Sequence, residues 1–168
     1  GFPHRPQDYA QRLEVVRAAA SDAGRDPMSI IPAVELPVVT GRSRDDVDEA
    51  LDSELPKAYG LWASDEDFRR HGAQHPLGAG FSGAQDLMPF NMDEQTALSH
   101  VAQIPPALLR EITLNGTPKE VIEQAAQWRD CGVRYMVLIN GGPLQRSLRK
   151  GLASLRPFNK IIRGLKKL

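Results

Sequence analysis

One order of segments occurs twice in this chain, and it constrains the fold more than any other feature. From Gln7 to Thr40, and again from Thr117 to Gly142, the sequence runs amphipathic helix, glycine stop, apolar strand, polar turn. In the first copy Tyr9, Leu13, Val16 and Ala20 recur at helical spacing, and Pro6 sits where a missing N–H costs nothing. Gly24 stops the helix and Pro27 blocks its continuation. Ile30–Val39 has the β-branched content of a strand, with Pro32 and Pro37 tolerable only toward its beginning and end. In the second copy Thr117-Pro118-Lys119-Glu120 is a capping box with proline at the first helical position. Val121, Ala125 and Trp128 form the apolar stripe, Gly132 stops it, and Val133–Ile139 is the strand. Asn140-Gly141-Gly142 then turns into a last helix carrying Leu144, Leu148, Leu152 and Leu155. Repeated helix–strand units predict an α/β fold with parallel strands, and a (β/α)8 barrel is the architecture that generates this pattern.

Between the two copies the pattern is helical and then irregular. Ser43, with Asp46 three residues on, caps a helix through Val47, Ala50 and Leu51. Further helical stretches are expected within Glu54–Trp62, after Ser64 and around Phe68, over Asp93–Gln103, and over Ala107–Ile112 beyond Pro105-Pro106. Residues 71–92 have no period. Gly72, Gly78, Gly80, Gly83, Pro76 and Pro89 break it, which predicts a long irregular insertion of the kind that serves as a lid or binding loop.

Charge is unevenly placed. The 21 basic and 21 acidic residues cancel, yet Pro143–Leu168 holds eight basic residues and no acid. Thirteen basic residues therefore face 21 acids in the preceding stretch. An acidic body carries a basic helical tail (about 143–168), while no overall basic excess points to nucleic acid. The tail's leucines can pack onto the acidic body, the reading preferred for an amphipathic helix, or meet an anionic membrane surface. No apolar run is long enough to cross a bilayer, and no leader for secretion opens the sequence, so a cytoplasmic setting is expected, peripheral to the membrane if the tail binds it. A single cysteine, Cys131, cannot form an internal disulfide and reads as a packing residue.

Several residues could carry chemistry. Gly78-Ala79-Gly80-Phe81-Ser82-Gly83 matches G-x-G-x-x-G, but no strand precedes it, so a flexible loop is the better reading. His71 and His75 are four apart, yet Gly72 and Pro76 deny them a helical face, so no metal site is expected. His75 reads as an exposed residue or a substrate contact from a mobile loop. Glu35 interrupts an apolar strand; inside a barrel its carboxylate must be paired with an arginine, protonated or used in a site. Asn140-Gly141-Gly142 could bring backbone N–H groups to an anion or simply make a tight turn. Trp128 reads as packing, and Trp62, near the irregular segment, could also wall a pocket.

A resemblance adds to this reading. Thr117–Ile122 followed by Cys131–Leu138 resembles the last helix–strand unit of luciferase-like oxidoreductases. Tyr9–Pro27, ending Ala-Gly-Arg-Asp-Pro, resembles the helix after their sixth strand. His75–Leu87, Cys131–Leu138 and the ending Arg163–Leu168 bring it nearest to the ketoreductases of that family that act on long-chain wax lipids. The resemblance covers nearly all of this chain and less than half of such an enzyme. It implies a (β/α)8 TIM barrel, reduced coenzyme F420 as hydride carrier, and a long-chain lipid substrate; a flavin monooxygenase using FMN is the alternative within the same fold. Ile30–Val39 would be strand seven and Val133–Ile139 strand eight, about two strands with several helices in one partial barrel domain over 1–168. Two strands cannot close a barrel. The resemblance puts the catalytic acid and base on earlier strands, so no catalytic residue is assigned and the chain is expected to be inactive alone. What remains at the barrel mouth is Thr40, Gly41, Asn140, Gly141 and Gly142 as coenzyme contacts, with Glu35, Trp62 and His75 as substrate contacts. A homo-oligomer is expected for the complete enzyme. A non-catalytic gene remnant, or an interaction module working through the basic tail, is the reading from another class.

Overall fold

The computed structural model describes residues 5–86, 92–145 and 147–168. Helix α1 (Pro6–Asp22) begins on Pro6 and ends where Gly24 adopts a positive φ of 70°. There the Arg25 N–H reaches the Ala20 carbonyl at 2.9 Å, closing the last turn as a glycine stop allows. Leu13 and Ala20 are buried as expected, but Val16 is largely exposed. Strand β1 (Ala33–Thr40) is followed by α2 (Arg44–Leu51), α3 (Glu54–Ala58), a 3-10 turn over Tyr59–Trp62, α4 (Asp65–Arg70), α5 (Glu94–Val101) and α6 (Pro106–Ile112). Strand β2 (Leu114–Gly116), α7 (Pro118–Asp130), β3 (Tyr135–Asn140) and α8 (Leu148–Leu165) complete the described elements. Ser43 and Ser64 each make a full capping box, with Asp46 and Asp67 at the third helical position.

The three strands are parallel and ordered β2-β1-β3. Among the described residues there are three strands where about two were expected. Leu114–Gly116 is too short to show a period of two, and its Asn115-Gly116 reads as a turn in sequence. The register pairs Val38 with Leu114 and Thr40 with Gly116 on one side, and Ala33 with Tyr135 through Val38 with Asn140 on the other. In a barrel wound strand by strand, sequence neighbours lie side by side. Here β2, which separates β1 from β3 in sequence, lies on the far edge of β1.

Alternation along β1 divides two cores. Leu36 and Val38 join Leu114, Val121, Ala125, Trp128, Val133 and Ile161, the layer under α7 and α8. Val39 points the other way into a helical cluster built by Val47, Leu51, Leu61, Phe68, Val101, Ile104, Leu108 and Leu109. Trp128 packs edge-on against Tyr9 with ring centroids 6.0 Å apart, which confirms its packing role and fastens α1 to α7.

Helix α8 corrects the expected face of the tail. Its buried residues are Gly151, Ser154, Pro157 and Ile161, whereas Leu148, Leu152 and Leu155 face solvent. Small residues win because α8 crosses the Gly142 turn at close range: a Cβ on Gly151 would stand 3.1 Å from the Gly142 carbonyl. The tail does dock on the acidic body, through this small face and through an ion pair from Lys150 to Glu49. Arg146, counted among the tail's cations, lies outside the described residues. No helix among the described residues is long and apolar enough to cross a membrane.

Candidate functional site at the strand ends

Parallel strands bring their C-terminal ends to one edge, and ligands in α/β folds bind there. Thr40, Gly116 and Asn140 are the last residues of the three strands, Thr40 pairing with Gly116 and Asn140 with Val38. The Thr40 hydroxyl, buried, donates to the Gly116 carbonyl at 2.8 Å. Gly41 follows it so closely that a Cβ there would stand 2.5 Å from the Asp46 Cβ, because the capping box of α2 folds back under the turn. The five expected mouth residues, Thr40, Gly41, Asn140, Gly141 and Gly142, thus do converge.

Their backbone donors, however, are used inside the chain. The Gly141 N–H donates to the Val38 carbonyl at 2.8 Å, and the Gly142 N–H donates to the Asn140 Oδ1 at 3.0 Å. A Cβ on Gly142 would fall 1.8 Å from the Ser154 Oγ. Gly141 and Gly142 let α8 and the turn approach each other, and their N–H groups are spent on acceptors within the chain. The tight-turn reading of Asn140-Gly141-Gly142 is the one realised.

Beside them lies a cleft of about 110 Å³, with Thr40, Gly41, Arg42, Asp46, Glu49, Lys150 and Ser154 in its wall. Lys150 is paired with Glu49, and the exposed Arg42 guanidinium has no carboxylate partner among the described residues. A second set of groups, read from the sequence only as a helix cap, borders β2. Glu120 accepts from the Thr117 N–H and hydroxyl, both at 2.8 Å, and from the Arg44 Nε at 3.1 Å. These donors, the Thr117 N–H first, hold its carboxyl far below the usual range, at about 2. A Cβ on Gly116 (φ 131°) would stand 2.7 Å from the Glu120 Oε2, so the end of β2 must be glycine. The capping box marks Glu120 in sequence; its pairing with Arg44, 76 positions away, has no local signal.

None of the three expected substrate contacts lines this cleft. Glu35 lies five residues before Thr40, about 16 Å along an extended strand. It is exposed, so the argument from burial does not apply to it, and no arginine pairs with it among the described residues. Its charge reaches Tyr59, whose hydroxyl is pushed up first by burial and then by Glu35. Tyr59 leans on Trp62 with ring centroids 5.7 Å apart, and Trp62 walls a cleft of about 540 Å³ together with Asp65, Arg69 and Phe81. Charged side chains dominate that wall, which suits a polar group better than an alkyl chain.

His75 is not exposed. Its ring stacks on Phe81 at 4.1 Å and meets Phe68 edge-on at 4.6 Å. The Leu77 N–H donates to its Nδ1 at 3.1 Å, which assigns the neutral ring's proton to Nε2, itself buried without a well-formed hydrogen bond. Burial pushes the imidazole pKa down. Asp65, also buried, anchors the same loop. It accepts from the Gly80 N–H at 3.0 Å and pairs with Arg69 at 2.7 Å, and its carboxyl is held below the usual range mainly by the Gly80 amide. The glycines of the G-x-G-x-x-G run thus serve this wrapped loop: Gly78, Gly80 and Gly83 all have positive φ, with no strand before them. The far part of the expected 71–92 insertion, 87–91, lies outside the described residues. His71 pairs with Glu111 at 3.1 Å.

Comparison with known proteins agrees with this architecture. Residues 2–135 match the model of the luciferase-like monooxygenase family. The chain is 71% identical over 167 residues to a phthiodiolone/phenolphthiodiolone dimycocerosates ketoreductase of Mycobacterium sp. strain JLS, covering 99% of this chain and 44% of that protein. It is 56% identical over 164 residues to the protein of the same name from Mycobacterium kansasii, covering 98% and 45%. The chain therefore spans less than half the length of these relatives. Among solved structures, an F420-dependent tetrahydromethanopterin reductase from Methanopyrus kandleri superposes with a TM-score of 0.60 at 15% identity, over 96% of this chain and 43% of that one. An F420-dependent secondary alcohol dehydrogenase, solved with an F420–acetone adduct, gives 0.53 at 15% identity, over 88% and 36%. At that identity the likeness is one of fold, and it is the fold of the strand–helix units described above. The chain belongs to the luciferase-like monooxygenase family.

Proposed function

We propose that the chain supplies strand–helix units of an F420-dependent ketoreductase, which reduces the keto group of phthiodiolone or phenolphthiodiolone dimycocerosates to a hydroxyl in mycobacterial wax-lipid synthesis. The observation that carries this reading is the 71% identity running over 99% of the chain. Reduced F420, when bound, supplies a hydride. The residues present fit one anionic end of such a coenzyme. Arg42 has no carboxylate partner among the described residues, and it stands beside Thr40-Gly41 in a cleft that is small against the roughly 300–1,000 Å³ of a whole-ligand site. The remaining contribution of this chain is positional. Thr40 and Gly116 hold the strand ends in register, and Asp65 holds the His75–Phe81 loop beside the Trp62 cleft. FMN chemistry has no support from the solved neighbours, both of which are F420-dependent proteins. The proposal extends to a cytoplasmic setting, peripheral to the membrane where the basic tail binds it, and to a homo-oligomer for the complete enzyme.

The test is a chimera. This chain replaces the matching 167 residues of the strain JLS ketoreductase, and the purified hybrid is given reduced F420 and phthiodiolone lipid. Reduction with F420 and none with FMN is expected, as is no turnover by the 168-residue chain alone. A folded chimera that binds neither coenzyme nor lipid, or turnover by the 168-residue chain alone, overturns the reading.

A further inference from the structure

Three leucines on successive turns of α8 stand in water. Leu148 is 76% exposed, Leu152 58% and Leu155 42%. At about 100° per residue they fall within a stripe some 60° wide, and Arg149, Arg156 and Lys160 fall together about 80–120° round from Leu148. The buried face, centred near Ser154 and Ile161, is more than 90° away from the leucines by the same geometry, so α8 uses a different surface to dock on the body. The cations are equally unspent. Lys150 pairs with Glu49, but Arg149, Arg156 and Lys160 have no ion-pair partner among the described residues, and no acid lies within the helix. A leucine ridge with unneutralised cations along one flank is complementary to one surface chemistry in particular: apolar chains beneath anionic head groups.

We infer that α8 is a membrane-surface helix, its Leu148–Leu152–Leu155 ridge entering the interface of an anionic bilayer while Arg149, Arg156 and Lys160 meet the head groups. The ridge lies in the plane of such a surface over about 10 Å, the rise from Leu148 to Leu155. Depth at an interface is of the order of 5–10 Å, enough for leucine side chains and no more. This surface stands on the exposure and charge of α8 in this chain, and within a complete reductase it requires that the remaining part of the protein leave the leucine ridge uncovered.

The test uses the 168-residue chain with vesicles of 70% phosphatidylcholine and 30% phosphatidylglycerol, against pure phosphatidylcholine. Co-sedimentation with the anionic vesicles is expected to fall at least tenfold on pure phosphatidylcholine. A similar fall is expected in the triple variant Leu148→Ser, Leu152→Ser, Leu155→Ser and in the triple variant Arg149→Gln, Arg156→Gln, Lys160→Gln. Because all six side chains are exposed, circular dichroism should be unchanged, and the single Leu152→Ser, with a smaller fall, covers the case in which a triple variant misfolds. An environment-sensitive dye on Leu152→Cys, in a Cys131→Ser background, should shift to the blue only with anionic vesicles. Binding that is absent, or that either triple variant leaves unchanged, overturns the inference. So does a dye already shielded without lipid, either by self-association of the chain or by the rest of the protein in the chimera described above.

Discussion

The Thr40 hydroxyl donates to the Gly116 carbonyl at 2.8 Å, and this bond fastens the ends of β1 and β2 where ladder pairing stops. Thr40 is buried, so removing its hydroxyl leaves the carbonyl without that donor and without water to replace it. Thr40→Val, close to isosteric, is expected to cost about 1–3 kcal/mol, and Thr40→Ser less. Urea unfolding of the 168-residue chain measures both; equal midpoints for Thr40→Val and wild type would show that the bond contributes nothing.

Gly142 and Ser154 share one volume. A Cβ on Gly142 would overlap the Ser154 side chain, so Gly142→Ala should destabilise by about 1–3 kcal/mol through overpacking. Ser154→Gly costs roughly 1 kcal/mol as a glycine inside a helix. In the double variant the overlap is gone, so the two losses should not add, and a double-mutant cycle reads the coupling directly. Strict additivity would contradict the close approach of α8 to the turn.

His75 makes stability fall with acid. Its pKa is lowered in the folded state, so the unfolded chain takes up the proton first. The stability it preserves is complete above the ordinary imidazole value of about 6.5 and is lost as pH falls below it. His75→Phe retains an aromatic ring against Phe81 and removes the titration. Between pH 7.5 and 5.5 the wild-type urea midpoint should drop while that of His75→Phe stays level. Parallel curves would mean that the buried Nε2 is not the source.

Glu120 and Asp65 act at lower pH. Both carboxyls are held down by N–H donors, so their stabilisation is present above the ordinary carboxylate range and is lost as pH falls through the lowered value, about 2 for Glu120. Glu120→Gln should therefore flatten the acid limb of the stability curve, and a carbon-detected NMR titration should find the Glu120 midpoint near 2. For Asp65→Ala the expected readout is local: faster amide exchange at Gly80, which donates to the Asp65 carboxylate at 3.0 Å. Unchanged exchange there would remove Asp65 as the anchor of the loop.

The sequence by itself determined what local chemistry can determine. Ser43, Ser64 and Thr117 start their helices because a side-chain oxygen and an acid three residues on satisfy free N–H groups within one turn. Gly24 and Gly132 mark turns because both take positive φ. The two longer strands and the α/β class were legible from this punctuation, whereas the placing of Thr40 with Asn140-Gly141-Gly142 at one edge came from the resemblance to luciferase-like oxidoreductases.

Tertiary structure decided the rest. Leu114–Gly116 becomes a strand only because β1 offers it an edge. Phe81 and Phe68 close over His75, and a loop rich in glycine becomes a buried one. Helix α8 is amphipathic on any count, yet which of its faces is covered depended on how near the Gly142 turn comes. Gly151 and Ser154 are small enough for that contact, so the leucines were left outside. Periodicity announces that a face exists; the shape of the opposing surface selects the face that is buried.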